Sequence, residues 1–168
     1  MKRLLLAFCL GLSSVTFAED AKVDVDGLAF TLPEGWKSVE STSPMRKAQL
    51  QVTVAGVADP IDVVFFHFPG GDVEQNITRW KNQLSGTAES KTEEIEAGGK
   101  KITIFQGTGT YTDPFAGKGA QENYALIGAL IPMDDSGPVV IKAAGPKAAA
   151  LGLIDALKKL ASSPFAKK

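Results

Sequence analysis

One histidine, His67, stands in the apolar run Ile-Asp-Val-Val-Phe-Phe-His-Phe, and it limits the chemistry the chain can do. An imidazole can serve as a general base or as one metal ligand. A Ser-His-Asp hydrolase would have to use His67, and no Gly-x-Ser-x-Gly elbow accompanies it. Zinc draws on several His or Cys ligands. The chain has one His and one Cys, Cys9, so no metal site is expected. The strand setting reads His67 as a structural residue with one hydrogen-bond partner. Glu93, Glu94 and Glu96 cluster as a glycosidase pair would, but they precede a Gly-Gly turn and read as a solvated strand edge. Asp134 and Asp135 offer oxygen ligands of the kind calcium takes, without the alternating acids of a calcium loop. Within Asp-Asp-Ser-Gly they read as a hairpin turn. Asp113, in Thr-Asp-Pro, reads the same way.

Two short segments look better suited to recognition than to catalysis. Ser43-Pro44-Met45-Arg46 places an exposed-type Met beside an Arg just before a strand. Arg46 either pairs with an acid of the first helix, such as Glu74, and pins the loop, or meets a partner's carboxylate through its planar fork. Pro69-Gly70-Gly71-Asp72 leads from a strand into a helix, where backbone N–H groups can face an anion. It lacks the Gly-x-x-x-x-Gly-Lys-Ser/Thr pattern of a phosphate loop, and Asp72 would repel phosphate. It reads as a tight turn. Asn76-Ile77-Thr78 fits a glycan acceptor but falls inside a helix. The candidate contact surface is therefore Ser43, Met45 and Arg46 with Gly70, Gly71, Asn76 and Arg79.

The elements that hold these segments follow from periodicity. Val23 to Leu32 is a hairpin about Asp26-Gly27, a favoured two-residue turn. Pro33-Glu34-Gly35 turns the chain and Trp36 restarts an apolar segment. Ala48, Leu50, Val52 and Val54 alternate with polar residues, which marks a half-buried strand. Ile61 to Phe68 is nearly all apolar and predicts a central strand covered on both faces. Asp72 and Gln75 form a capping pair. Val73, Ile77, Trp80 and Leu84 then make one helical stripe, with Arg79 and Lys81 off that face.

Ser85 to Lys91 is expected to be a polar loop. Thr92 to Ala97 and Lys100 to Tyr111 pair about Gly98-Gly99. Thr112 to Gln121, with Pro114, Gly117 and Gly119, reads as a mobile loop. Tyr124 to Ile131 and Val139 to Ala143 form a third strand pair. Gly145-Pro146 opens a last helix with Leu153, Ile154, Leu157, Leu160 and Ala161 buried, and Ser163 to Lys168 is expected to fray. Short turns predict a largely antiparallel sheet, so the fold class is α+β with helices flanking that sheet.

Residues 1–18 carry the three parts of an export signal: Lys2 and Arg3, an apolar run from Leu4 to Leu12, and small or polar residues up to Ala18. The run is shorter than the ~20 residues of a membrane-spanning helix. Phe8 stands where a lipid-modified Cys9 would want a small neighbour. Residues 19–168 are read as one domain. They keep 16 basic and 19 acidic residues, a net charge of −3, and no cysteine. An oxidising compartment finds no thiol to attack. The slight acidity argues against nucleic acid, which binds basic faces.

The opening Phe-Thr-Leu-Pro-Glu-Gly-Trp, the alternating strands and the closing amphipathic helix resemble the PsbP-like fold over about residues 22–163. That resemblance implies an antiparallel sheet sandwiched by helices and an accessory or binding role more than catalysis. Metal ligation, known in some relatives, has no matching ligand set here. Five segments are together similar to a family of exported bacterial proteins of unknown function: Ser43 to Gln49, Phe68 to Trp80, Gly109 to Tyr111, Ala125 to Ile131 and Gly137 to Pro146. The reading that results is a periplasmic or secreted, non-catalytic protein binding a small molecule or a partner protein. It has no cofactor, no nucleic-acid partner and no stable membrane insertion once the signal is cut. The alternatives are a carboxylate-dependent hydrolase assisted by His67, and an envelope assembly or structural factor.

Overall fold

A computed structural model describes residues 21–113, 118–134 and 136–166. The expected export signal, residues 1–18, and the centre of the 112–121 loop lie outside the described residues. The chain begins with the hairpin β1 (Lys22–Val25) and β2 (Leu28–Thr31). Asp26 and Gly27 turn it with φ of 49° and 88°, values that Gly and Asp tolerate better than most residues. A seven-stranded antiparallel sheet follows. Its strands are β3 (Trp36–Val39), β4 (Ala48–Val52), β5 (Ile61–His67), β6 (Leu84–Ala97), β7 (Lys100–Tyr111), β8 (Gln121–Ile131) and β9 (Val139–Pro146). The order across the sheet is β3-β4-β5-β9-β8-β7-β6, so every neighbouring pair is antiparallel.

Alternation divides the side chains between two faces. On one face Leu50, Val63, Phe65, Ile102, Ile104, Ile127, Ile131 and Ile141 are fully buried. They lie under the β1–β2 hairpin and two short helices, α2 (Lys147–Gly152) and α3 (Ile154–Ser162), which contribute Ala150, Leu157, Leu160 and Ala161. Phe30 of the hairpin meets Phe65 edge-on at 5.2 Å. The opposite face carries one helix, α1 (Val73–Asn82). Its Ile77 and Trp80, with Leu84 just beyond it, bury Phe105, Leu126, Leu130 and Val140. Trp80 lies so close to the sheet that residue 128 must be glycine, since a Cβ there would overlap the indole and stand 2.9 Å from the Ile141 carbonyl oxygen.

Several expectations hold. Trp36 and Trp80 are core residues. The Asp72 carboxylate accepts from the Gln75 backbone N–H at 2.7 Å, and the Gln75 side chain donates back to the same carboxylate at 2.8 Å.

Others fail for physical reasons. Ser85 to Lys91 is not a loop but part of the long edge strand β6. Polar composition misleads there because an edge strand pairs on one side only, and the residues of this stretch have little to bury. A bulge between Ser85 and Glu89 opposes residues 86–88 to Gly109 of β7. The last helix breaks after Gly152 into two pieces. Ser163 to Phe165 does not fray: it forms a 3-10 turn, with the Ser163 hydroxyl accepting from Thr31 N–H at 2.9 Å and Phe165 packed on the core. The β5 strand is covered fully on one face and in part on the other, where Val64 is buried and Phe66 packs against the α1 cluster while both, with Asp62, also line a cavity.

His67 ends β5 on the face that carries the hairpin, with a side chain 10% exposed. It has two partners rather than the one expected. Nδ1 meets the Asp26 carboxylate at 2.6 Å, and Nε2 faces the Ser136 carbonyl at 3.1 Å. Lys47 also donates to Asp26, at 3.3 Å. One imidazole thus ties the hairpin tip, β5 and the β8–β9 turn together.

Two predictions follow from this packing. Gly128→Ala forces the Trp80 ring away from the sheet and costs about 1–3 kcal/mol, as overpacking does, measured by urea unfolding. The hydrogen bond from His67, then Lys47, holds the Asp26 carboxyl below the usual carboxylate value. A carboxyl depressed in the folded state contributes stability above its unfolded pKa of ~3.9 and loses it as pH falls through the folded value. Asp26→Asn keeps the turn residue type, so its stability deficit against the parent is constant at neutral pH and shrinks below about pH 4. A deficit independent of pH across that window would contradict the role given to the Asp26 charge.

Candidate functional site

A cavity lies over the part of the sheet that α1 does not cover. It is a space of about 580 Å³ over β5, β9, the end of β7 and the start of β8, within the range typical of small-molecule sites. The β4–β5 turn forms one rim, with Val57 to Pro60. Lys118 and Gln121, beyond β7, form the other, and Thr42, Ser43 and Arg46 close one end.

Its floor holds a half-buried ion pair. Lys142, on β9, alternates with the buried Val139, Ile141 and Ala143 and so projects from the open face. Its ammonium donates to Asp113 at 3.3 Å, and the two side chains are 11% and 22% exposed. Tyr111, at the end of β7, donates its hydroxyl to the same Asp113 oxygen at 2.9 Å. Lys142 Nζ also lies 5.4 Å from the centre of the Tyr111 ring, within cation–π range. Tyr124 of β8 sets its ring parallel to that of Tyr111, 2° apart in plane and 6.3 Å between centres. The two rings are stacked, and since Tyr111 is buried, Tyr124 is the more accessible of the two.

Burial sets the electrostatics. It pushes the Lys142 ammonium below its usual value; Asp113 pulls it back up, and the charges of Arg46 and Arg79 push it down again. Burial, reinforced by the Asp113 charge and hydrogen bond, drives the Tyr111 phenol far above its usual value, so it stays a donor at any physiological pH. Lys142, Asp113 and Tyr111 are mutually engaged, and none is poised as a free nucleophile or base.

Arg46 sits at the closed end. Its Nη1 donates to the Gln49 side-chain oxygen at 2.8 Å and to the Thr42 hydroxyl at 3.1 Å. Gln49 is 2% exposed, so the guanidinium is anchored in the sheet by an amide. The expected pairing with Glu74 does not occur, because α1 lies over the β7–β8 half of the sheet. The loop itself is closed by its own bonds, with Arg46 N–H donating to the Ser43 carbonyl.

A second space, about 260 Å³, lies between α1 and the ends of β5 and β9, lined by Phe68, Gly71, Asn76, Arg79, Pro138 and Val140. The seven residues expected to form one surface are thus divided. Ser43 and Arg46 line the larger space; Gly71, Asn76 and Arg79 line the smaller. Gly70, at φ 82°, serves the turn. Met45 is 51% exposed and Phe68 43%. The register places these segments side by side, since Ala48 is opposite Phe65 and Lys47 N–H still donates to the Phe65 carbonyl. Asn76 is buried and its amide nitrogen donates to the Asp72 carbonyl at 2.8 Å, so it is not presented as a glycan acceptor. Asp134 pairs with Lys100, while Asp135 lies outside the described residues. Glu93 reaches Lys158 of α3 at 2.7 Å. No cluster of three metal-ligating side chains occurs among the described residues.

Lys142, Asp113, Tyr111 and Tyr124 escaped the sequence reading. Lys142 carried a signal: it is a lone charge in the apolar strand Val-Val-Ile-Lys-Ala-Ala, on the alternate face from its buried neighbours. Asp113 carried none, since only the fold brings a turn residue over that face.

No protein-family model and no curated protein matches the sequence. Among solved structures, the chain is similar to LpqN, involved in cell envelope biogenesis of Mycobacterium tuberculosis. The TM-score is 0.54 at 15% identity over 78% of each chain. It is also similar to the cyanobacterial PsbP (CyanoP) from Synechocystis sp. PCC 6803, with a TM-score of 0.53 at 12% identity over 91% of this chain and 95% of that one. At these identities the likeness speaks to architecture. The chain has a PsbP-like α+β fold, a largely antiparallel sheet flanked by helices.

Proposed function

We propose that the chain is a non-catalytic, extracytoplasmic binding protein whose ligand occupies the open half of the sheet face. The observation that carries this reading is the 580 Å³ space floored by the Lys142–Asp113 pair and walled by two parallel tyrosines. A desolvated ion pair adds little net stability over an apolar replacement, so its place on the floor of a cavity favours recognition over support. Localisation outside the cytoplasm is supported by the signal-like residues 1–18 and by a fold shared with a protein of envelope biogenesis. The hydrolase alternative draws no support from His67, which lies on the other face of the sheet and is engaged by Asp26 and Ser136. The alternative of an envelope assembly factor is favoured by one feature, the adjacent exposed Met45 and Phe68 at the end of the sheet.

Mass spectrometry of the protein taken from its native envelope tests the reading. The denatured mass is expected to match Glu19–Lys168, and the native spectrum to show added small-molecule mass. Ala144→Trp, which fills the cavity floor, is expected to abolish that addition while the denatured mass rises only by the substitution. A bare monomer in both spectra would overturn tight small-molecule binding. An added protein chain sensitive to Met45→Ser would favour the assembly factor.

A further inference from the structure

Charge alone does not say what the cavity takes. Its wall carries Arg46, Lys118 and Lys142 against Asp59, Asp62 and Asp113. Pairing decides the matter instead. Asp113 already accepts from Lys142 and Tyr111, and Asp62 accepts from the Gln51 amide at 3.1 Å. Asp59 is an exposed rim residue and Lys118 an exposed one opposite it.

Arg46 is different. It is half-buried, its two hydrogen-bond acceptors are a neutral amide and a neutral hydroxyl, and both engage the same nitrogen, Nη1. Among the described residues no carboxylate lies within ion-pair distance of it. A guanidinium has five N–H donors in a planar fork that matches a carboxylate with two parallel hydrogen bonds. The sheet therefore holds a cation rigidly, through Gln49 at 2% exposure, with donors left over and, among the described residues, no anion paired with them. In the same cavity stands Tyr124, stacked on the buried Tyr111. Tyr111 is fixed by its bond to Asp113, so the ring that supports Tyr124 keeps its orientation without a ligand.

We propose that the cavity takes a carboxylate carried on a flat, apolar body, the carboxylate meeting the free edge of Arg46 and the body lying against the Tyr124 ring. This rests on the binding reading above and names the chemistry of its ligand. The Arg46 fork supplies the selection by charge. The Tyr124 ring supplies contact area that is indifferent to charge.

Three indoles of nearly one shape separate these contributions: indole-3-acetate, indole-3-acetamide and tryptamine. Each is titrated into the 15N-labelled exported protein and followed by amide chemical shifts. Indole-3-acetate is expected to shift Arg46, Tyr124 and Lys142 and to bind at least tenfold more tightly than the amide, the size expected of hydrogen bonds to a charged group. Tryptamine is expected to bind no better than the amide. Arg46→Gln should weaken the acetate tenfold or more and leave the amide unchanged, and Arg46→Lys should restore part of the loss. Tyr124→Ala should weaken acetate and amide alike, which keeps the test informative if Arg46→Gln disturbs its loop.

Equal binding of acetate and amide, or a preference for tryptamine, would overturn the carboxylate assignment while leaving the binding reading intact. Unchanged acetate affinity in Arg46→Gln would do the same for the role of Arg46. No shift with any of the three would sink this ligand class outright, and the native-mass result would still decide separately whether the cavity is a site.

Discussion

The structure turns on a mismatch of dimensions. Seven strands at ~4.8 Å spacing make a face about 29 Å wide, while a helix with its side chains covers about 10 Å of that width. The hairpin, α2 and α3 together cover one face. On the other, α1, with Leu84 of β6, buries β7, β8 and part of β9 through Ile77 and Trp80, and this cluster reaches β5 at Phe66. β4 and the start of β5 are left uncovered by α1. The bare strip must then be made of residues that tolerate water, or be occupied.

The sequence of that strip shows how the fold answers this constraint. On β4 the open positions are Gln49 and Gln51; on β5 they begin with Asp62; on β9 the position is Lys142. Gln51 donates to Asp62 across the strands and Gln49 accepts from Arg46, so the polar groups are joined to one another rather than left bare. Lys142 and Asp113 carry the arrangement further inward, to where burial begins to depress the ammonium. A face meant only to meet solvent would not need a desolvated pair, and one meant only for stability would do better with apolar residues of similar volume. The pair is better understood as preorganisation: it fixes Tyr111 and the floor of the cavity before anything enters.

This also explains what was legible in the amino-acid sequence. Period-two alternation located Ala48–Val52, and the Asp26-Gly27 turn located the first hairpin, because both are local signals. The stripe Val73, Ile77, Trp80, Leu84 predicted α1 and its buried face, although the helix ends at Asn82 and Leu84 opens β6. Ser85 to Lys91 was misread because β6 pairs on one side only, and its pairing with β7 is a non-local fact. The candidate site was half legible. Arg46 was singled out from its loop, but its partner Gln49 was hidden in the alternation of β4, where a polar residue is expected to face water. Asp113 and Lys142 stand 29 positions apart in the chain, and nothing in either neighbourhood announces the other.

The two faces also divide the work. His67, the residue type most suggestive of chemistry, binds Asp26 and the Ser136 carbonyl on the covered face, where it locks the hairpin over the main core. The cavity on the other face uses none of those groups. A change at Asp26 or His67 therefore acts on the stability of the hairpin, and a change at Arg46 or Tyr124 acts on the cavity, with the apolar layer of the sheet between them. Sites far enough apart to share no partners behave nearly independently. A fold built this way can exchange residues of the open strip without disturbing the layer that holds it together. Hence a likeness in architecture at 12–15% identity speaks to the fold and says nothing of a ligand.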